Sequence, residues 1–201
     1  MNITRIASVP LITHDPFFSV WSGADHLYDA DTVHWSGNRQ QIRGHLTIDG
    51  KTCTFMGKSE FLPVIPQKSL KLSATSTTYT FENEEVELTV SFTSPLLPDH
   101  MLLVSRPCTY VDFSIHKKQA KEVSLHLEVS ADLVRRTKDQ VIGFAAQKAN
   151  RFTGKNFSYV SMGRTNQQPL NHSVDQATID WGYVYLASES QDARIDFDPA
   201  N

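Results

Sequence analysis

The sequence contains no apolar run near the roughly 20 residues that a membrane-spanning helix needs. It has no cluster of lysine and arginine, and its formal net charge is -3. Nucleic acid is therefore not expected as a partner, because phosphate binding requires grouped cations. Its two cysteines, Cys53 and Cys108, are too few for a disulfide framework. An oxidising compartment could pair them; the other reading is two small buried residues on β elements. Metal-site spacings such as H-E-x-x-H, C-x-x-C and an EF-hand loop are missing, and so is the G-x-S-x-G nucleophile turn. No metal and no cofactor is expected. Met1–Thr4 has neither the charged nor the apolar region of a signal peptide, which leaves a cytosolic chain or one that starts at a mature N-terminus. There is no internal repeat, no low-complexity tract and no run with apolar residues at helical spacing for three turns, so helix should be minimal.

What is present alternates. With 40% hydrophobic and 20% charged residues in 201, the chain can build a core without a staple. Gly44–Met56 reads as strand, Asp49-Gly50 turn, strand. Thr77–Phe81 and Val86–Phe92 read as a hairpin, with Val86, Leu88, Val90 and Phe92 on one face. Ser69–Ala74, Met101–Val104, Tyr110–Ile115, Val123–Val129, Gln140–Ala146, Phe157–Met162 and Ala177–Leu186 add further strands, the last with an interior glycine that suggests a bulge or close backbone approach. Ala131–Asp139 predicts one helical turn. Lys148–Lys155 and Gly163–Ser173 read as loops. About ten or more short strands at roughly 8–12-residue spacing predict an all-β fold, an antiparallel β-sandwich of the supersandwich kind. The expected organisation is a single β-sandwich domain over 1–201, with 1–60 an irregular aromatic-rich opening segment plus hairpin and 69–201 the main sandwich. The tail DARIDFDPAN still alternates like a strand, which predicts a fragment of a larger protein.

Pro10–Gly50 is the chemically dense stretch. Phe17, Phe18, Trp21, Tyr28 and Trp35 supply apolar faces; His14, Asp15, Asp25, His26, Asp29, Asp31 and His34 supply polar tips. Such a segment is expected to be a shaped loop, and shaped loops often carry function. Asp15, Asp29 and Asp31 could serve as acid and base, or could cap turns. Trp21, Trp35 and Trp181 could stack on sugar rings, or could be core. Spacing alone assigns no catalytic residue. His14, Asp15, Trp21 and Trp35 are the candidates for the rim of a cleft.

Several blocks are quotable: VPLITHDPFFSVWS, LYDADTVHWSG, RGHLTIDGKTCTFMG, SPLLPDHMLLVSRPCTYVDFSI, LHLEVSADLVRR and MGRTNQQPLNHSVDQATIDWGYVYLAS. In this order they resemble the N-terminal region of the glutaminase A-like proteins of fungi and bacteria. The resemblance implies a secreted or periplasmic hydrolase that converts L-glutamine to L-glutamate and ammonia. It implies a β-sandwich ahead of an α/α-toroid domain, with this chain the non-catalytic part. The implied partners are that C-terminal helical domain and a small molecule, glutamine or a sugar, at the domain interface. A carbohydrate-binding or glycoside-hydrolase-associated sandwich is the alternative, and a structural interaction domain the second.

Overall fold

The computed structural model describes residues 6–150, 156–169, 178–190 and 192–198. In chain order the strands are β1 (Val9–Thr13), β2 (Ser19–Ser22), β3 (Val33–His34), β4 (Ile42–Ile48), β5 (Lys51–Met56), β6 (Gln67–Leu72), β7 (Ser76–Glu82), β8 (Val86–Thr93), β9 (Tyr110–Lys117), β10 (Val123–Val129), β11 (Ile142–Asn150), β12 (Asn156–Arg164) and β13 (Val184–Ser188). One helical turn, α1 (Met101–Val104), and a 3-10 turn at Ala131–Leu133 complete the described structure. The fold is all-β, in four antiparallel sheets. The chain divides into two compact units, Met1–Val129 and Ser130–Asn201.

The first unit holds sheets β1-β2-β3, β10-β4-β5 and β6-β7-β8-β9. Its core follows from period-two alternation. Ile42, Leu46 and Ile48 on β4, Tyr79 and Phe81 on β7, and Val86, Leu88, Val90 and Phe92 on β8 are all buried. Two sheets meet through aromatics. The Phe55 ring lies 5.8 Å from that of Phe81 and 6.3 Å from that of Phe113. Phe55 sits where the β4–β5 register shifts between Gly44 and His45, a bulge that brings its ring over Gly44. A β-carbon on Gly44 would fall 2.2 Å from the ring, so only glycine fits.

The Asp49-Gly50 turn adopts the positive φ values its sequence predicts, 45° and 82°. The Asp49 carboxylate accepts the backbone N–H groups of Lys121 (3.1 Å) and Glu122 (2.8 Å). Those bonds hold its pKa below the ordinary carboxylate value. They also tie the β4–β5 turn to the β9–β10 connection. The β7–β8 hairpin closes on Asn83, whose side-chain oxygen accepts the N–H groups of Glu85 and Val86.

The smaller unit contains sheet β11-β12-β13. Arg164 donates to the Asp180 carboxylate at 2.7 Å with both side chains nearly inaccessible, and Gln140 donates to the same oxygen at 3.0 Å. A buried ion pair of this kind is held by its hydrogen bonds rather than by Coulomb attraction alone. Ser130 caps the 3-10 turn by accepting the Asp132 N–H, at the start of the stretch predicted to turn helically.

Several expectations need correction. The opening segment is not irregular throughout: it carries β1, β2 and β3. A register shift between Pro10 and Ile12 breaks the alternation that would have revealed β1. Met101–Val104 is a helical turn, not a strand; the Leu103 and Val104 N–H groups bond locally to the His100 carbonyl instead of to a ladder. Within the predicted Ala177–Leu186 strand, pairing begins only at Val184, because Gly182 turns the chain with φ 75°; Ala177 lies outside the described residues. A β-carbon on Gly163 would meet the Gly182 carbonyl at 2.6 Å, so the close backbone approach occurs there. Cys108 lies in the irregular segment before β9 and Cys53 on β5; both are free and half-buried. The predicted 148–155 loop begins as β11, and 151–155 lies outside the described residues. Residues 163–164 of the predicted 163–173 loop belong to β12, and 170–173 lies outside. Residues 192–198 of the tail form no strand.

The Phe55–Gly44 contact yields a stability prediction. Gly44→Ala should cost about 1–3 kcal/mol by overpacking, and Phe55→Ala about 3–5 kcal/mol by leaving a cavity. Denaturant unfolding measures both. A Gly44→Ala chain as stable as the parent would show that the ring can move aside.

Candidate functional site

A pocket of about 150 Å³ opens beside the β1–β2 turn. Its wall includes Thr13, His14 and Asp15 on one side and Pro95, Leu96, Val104, Arg106 and Cys108 on the other. All belong to the first unit. The ring of His14 stacks on Phe18 with centroids 5.7 Å apart, and its Nε2 lies 3.3 Å from Thr109 Oγ1. Burial lowers the His14 pKa, with the Asp15 charge opposing. The imidazole is therefore biased toward its neutral form, able to accept or donate one hydrogen bond at the pocket wall.

Asp15 is committed to the backbone. Its Oδ1 accepts the N–H groups of Phe17 (2.7 Å) and Phe18 (3.1 Å), which shapes the turn. Asp29 accepts His26 N–H (3.0 Å) and lies 2.8 Å from His26 Nδ1. Asp31 pairs with Arg39 at 3.2 Å and accepts Lys58 N–H. These carboxylates hold turns rather than face one another as an acid and a base. Among the described residues, no group of three or more His, Cys, Asp or Glu is arranged to hold a metal ion.

The four cleft-rim candidates do not gather at one place. His14 and Asp15 line the pocket; Trp21 and Trp35 are not among its lining residues. Trp21 is half-buried on β2 and donates from Nε1 to Ser19 Oγ at 2.8 Å. Trp35 is 55% exposed, and its Nε1–H donates to the Pro16 carbonyl at 2.6 Å. That carbonyl also accepts from His34 Nε2 at 2.9 Å. His34 is fully buried, and its Nδ1 accepts the Ser36 backbone N–H. A backbone N–H can only donate, so His34 is the neutral Nε2–H tautomer. The pocket turn is thus pinned from behind by His34 and Trp35. Arg106, Leu96 and Val104 were missed by sequence reasoning. Their one visible signal is a run of leucine, methionine and valine between prolines that does not alternate.

Residues 75–199 match a family described as "Domain of unknown function (DUF5127)", and residues 2–66 match one described as "Domain of unknown function (DUF4964)". The chain belongs to the DUF5127 family. It is 26% identical over 198 residues to Glutaminase A of Aspergillus oryzae (strain ATCC 42149 / RIB 40), an alignment that covers 94% of this chain and 28% of that protein. The chain therefore spans less than a third of the length of the curated relative it matches. No solved structure matches it. The two matched segments are not separate structural pieces. Strand β4, from the DUF4964 segment, pairs along its whole length with β10, from the DUF5127 segment. The pocket likewise takes Thr13, His14 and Asp15 from the first segment and 94–108 from the DUF5127 segment.

The His34 geometry sets a pH dependence. Burial lowers its pKa from the ordinary 6.5, opposed by the Pro16 hydrogen bond and the Asp15 charge. The unfolded chain then takes up a proton at a pH where the folded chain does not. This contribution to stability is complete well above 6.5 and is lost as pH falls through 6.5 toward the folded value. Unfolding free energy should drop between about pH 7.5 and about pH 5.5, and the drop should shrink in His34→Gln. Denaturant titrations at both pH values decide it; equal slopes in parent and variant would remove His34 from the account.

Proposed function

We propose that this chain is the non-catalytic β-sandwich part of a glutaminase A-like hydrolase, whose full-length form converts L-glutamine to L-glutamate and ammonia. It packs on a helical catalytic domain elsewhere in the longer polypeptide and lends the His14–Phe18 turn to the rim of the cleft. His14 and Asp15 are its nearest groups to substrate; Trp21 and Trp35 support the turn and the sheet behind it. The setting is extracellular or periplasmic, as the family resemblance implies. The observation that carries this reading is the alignment itself: nearly all of this chain corresponds to under a third of Glutaminase A. The local chemistry agrees with a supporting role, since the carboxylates of the dense segment are engaged in turns. The test is ammonia release from L-glutamine by the 201-residue chain and by the full-length polypeptide. Release only by the longer protein is expected; full activity in the chain alone would overturn the assignment.

A second reading, a carbohydrate-binding surface, is favoured by one observation. On sheet β11-β12-β13 the Tyr159 ring lies 5.8 Å from that of Tyr185 and 5.8 Å from that of Phe157, and Tyr183 and Tyr185 are exposed. Residues two apart on a strand share a face, so Phe157 and Tyr159 on β12, with the Tyr185 ring of β13 beside Tyr159, form one aromatic row. Flat rings in a row suit the apolar faces of sugar units. Under this reading, calorimetry against a glycan panel gives heat that Tyr185→Ala abolishes. No heat with any glycan would discard it.

A further inference from the structure

We infer that Pro95–Val104 is the seat on which the remaining, larger part of the glutaminase A-like polypeptide packs. This inference rests on the reading of the chain as one part of such a hydrolase.

The segment is apolar and uncovered. Leu96 is 53% exposed, Leu97 52%, Met101 76%, Leu102 76% and Val104 40%. Five large aliphatic side chains within ten residues form a concentration of exposed apolar surface of the kind that marks an interaction site. Its helical turn, α1, buries none of its own residues. A single turn is costly to nucleate, and here no side chain of the turn is buried in the core to offset that cost. The side chains that would reward its formation point to a surface supplied from outside. Asp99 and His100 are the only polar side chains between Ser94 and Ser105, so the face suits an apolar partner rather than a charged one.

The segment is also held in shape. Ser94 N–H bonds to the Thr75 carbonyl at 2.9 Å, and the His100 carbonyl accepts Leu103 N–H at 2.9 Å and Val104 N–H at 3.1 Å. Pro95, Pro98 and Pro107 restrict φ along the path. Presenting the side chains in a fixed arrangement reduces the ordering cost of docking.

The occupant follows from length. The alignment accounts for 28% of Glutaminase A, so most of such a polypeptide lies outside the matched region and is joined to it covalently. Covalent linkage gives that partner a high effective concentration at the patch. Leu96 and Val104 belong both to this patch and to the wall of the His14 pocket. A domain seated on Pro95–Val104 would complete that wall and turn the open pocket into part of an interdomain cleft, with Arg106 and His14 facing it.

The experiment compares backbone amide hydrogen exchange in the 201-residue chain and in the full-length polypeptide. Peptides covering 95–104 should exchange roughly tenfold or more slowly in the longer protein, while β8 peptides stay unchanged. Met101→Asp with Leu102→Asp should abolish that protection and leave the melting temperature of the short chain unaltered, because both side chains are exposed there. Equal exchange of 95–104 in the two proteins overturns the seat. So does a short chain that dimerises through the patch, by sedimentation, beside an unprotected long one; the occupant is then a second copy. Glutamine hydrolysis is measured in parallel. Protection without hydrolysis removes the glutaminase reading and keeps the seat; hydrolysis without protection does the reverse.

Discussion

The ring of Phe55 against the bare backbone of Gly44 is the contact on which the sandwich depends. It sets the spacing between β4 and β5, and through Phe81 and Phe113 it joins β10-β4-β5 to β6-β7-β8-β9. Interiors pack at near-crystalline density, so one ring seated in the space of a missing side chain fixes its neighbours to within a methyl group. A bulge delivers the ring, and the absence of a side chain at residue 44 admits it. Neither feature works without the other.

A second constraint is covalent order. The segment up to Pro66 and the segment from Thr75 onward match different family descriptions, yet β4 and β10 pair in one sheet and Asp49 holds the β9–β10 connection by its backbone. Stretches of both matched segments build one compact unit, Met1–Val129. The pocket repeats the arrangement, with His14 from the early stretch facing Leu96, Arg106 and Cys108 from the later one. Functional meaning therefore resides in the joint structure. The Pro16 carbonyl, accepting from both His34 and Trp35, connects the pocket turn to the aromatic segment behind it. Histidine and tryptophan residues that look like site chemistry in the sequence here serve as braces. The braced turn lies beside an exposed apolar segment, and the two share the pocket wall through Leu96 and Val104.

Much was legible in the sequence. Period-two alternation gave β7, β8, β9 and β10, because one face is buried in β7 and β8 and half-buried in β9 and β10, while the other is more exposed. Asp49-Gly50 gave its turn, because both positions need positive φ and few residue pairs accept that. The ordered blocks pointed to glutaminase A-like proteins, in agreement with the alignment to Glutaminase A. The first two strands were hidden by Pro10 and a register shift. Met101–Val104 was misread because an apolar run too short for a helical period resembles a buried strand.

By itself, then, the sequence determined the all-β class, the hairpin turns and the family, since these rest on local periodicity, backbone preference and residue order. Only the tertiary structure decided which histidine lies at a pocket and which is a brace. His14 and His34 are alike in the sequence. One faces Thr109 across 95 positions of chain, and the other is locked between Ser36 and Pro16. The tertiary structure also decided that five exposed aliphatic side chains gather within 95–104. Exposure depends on what the rest of the chain places over a residue, and no local pattern encodes that.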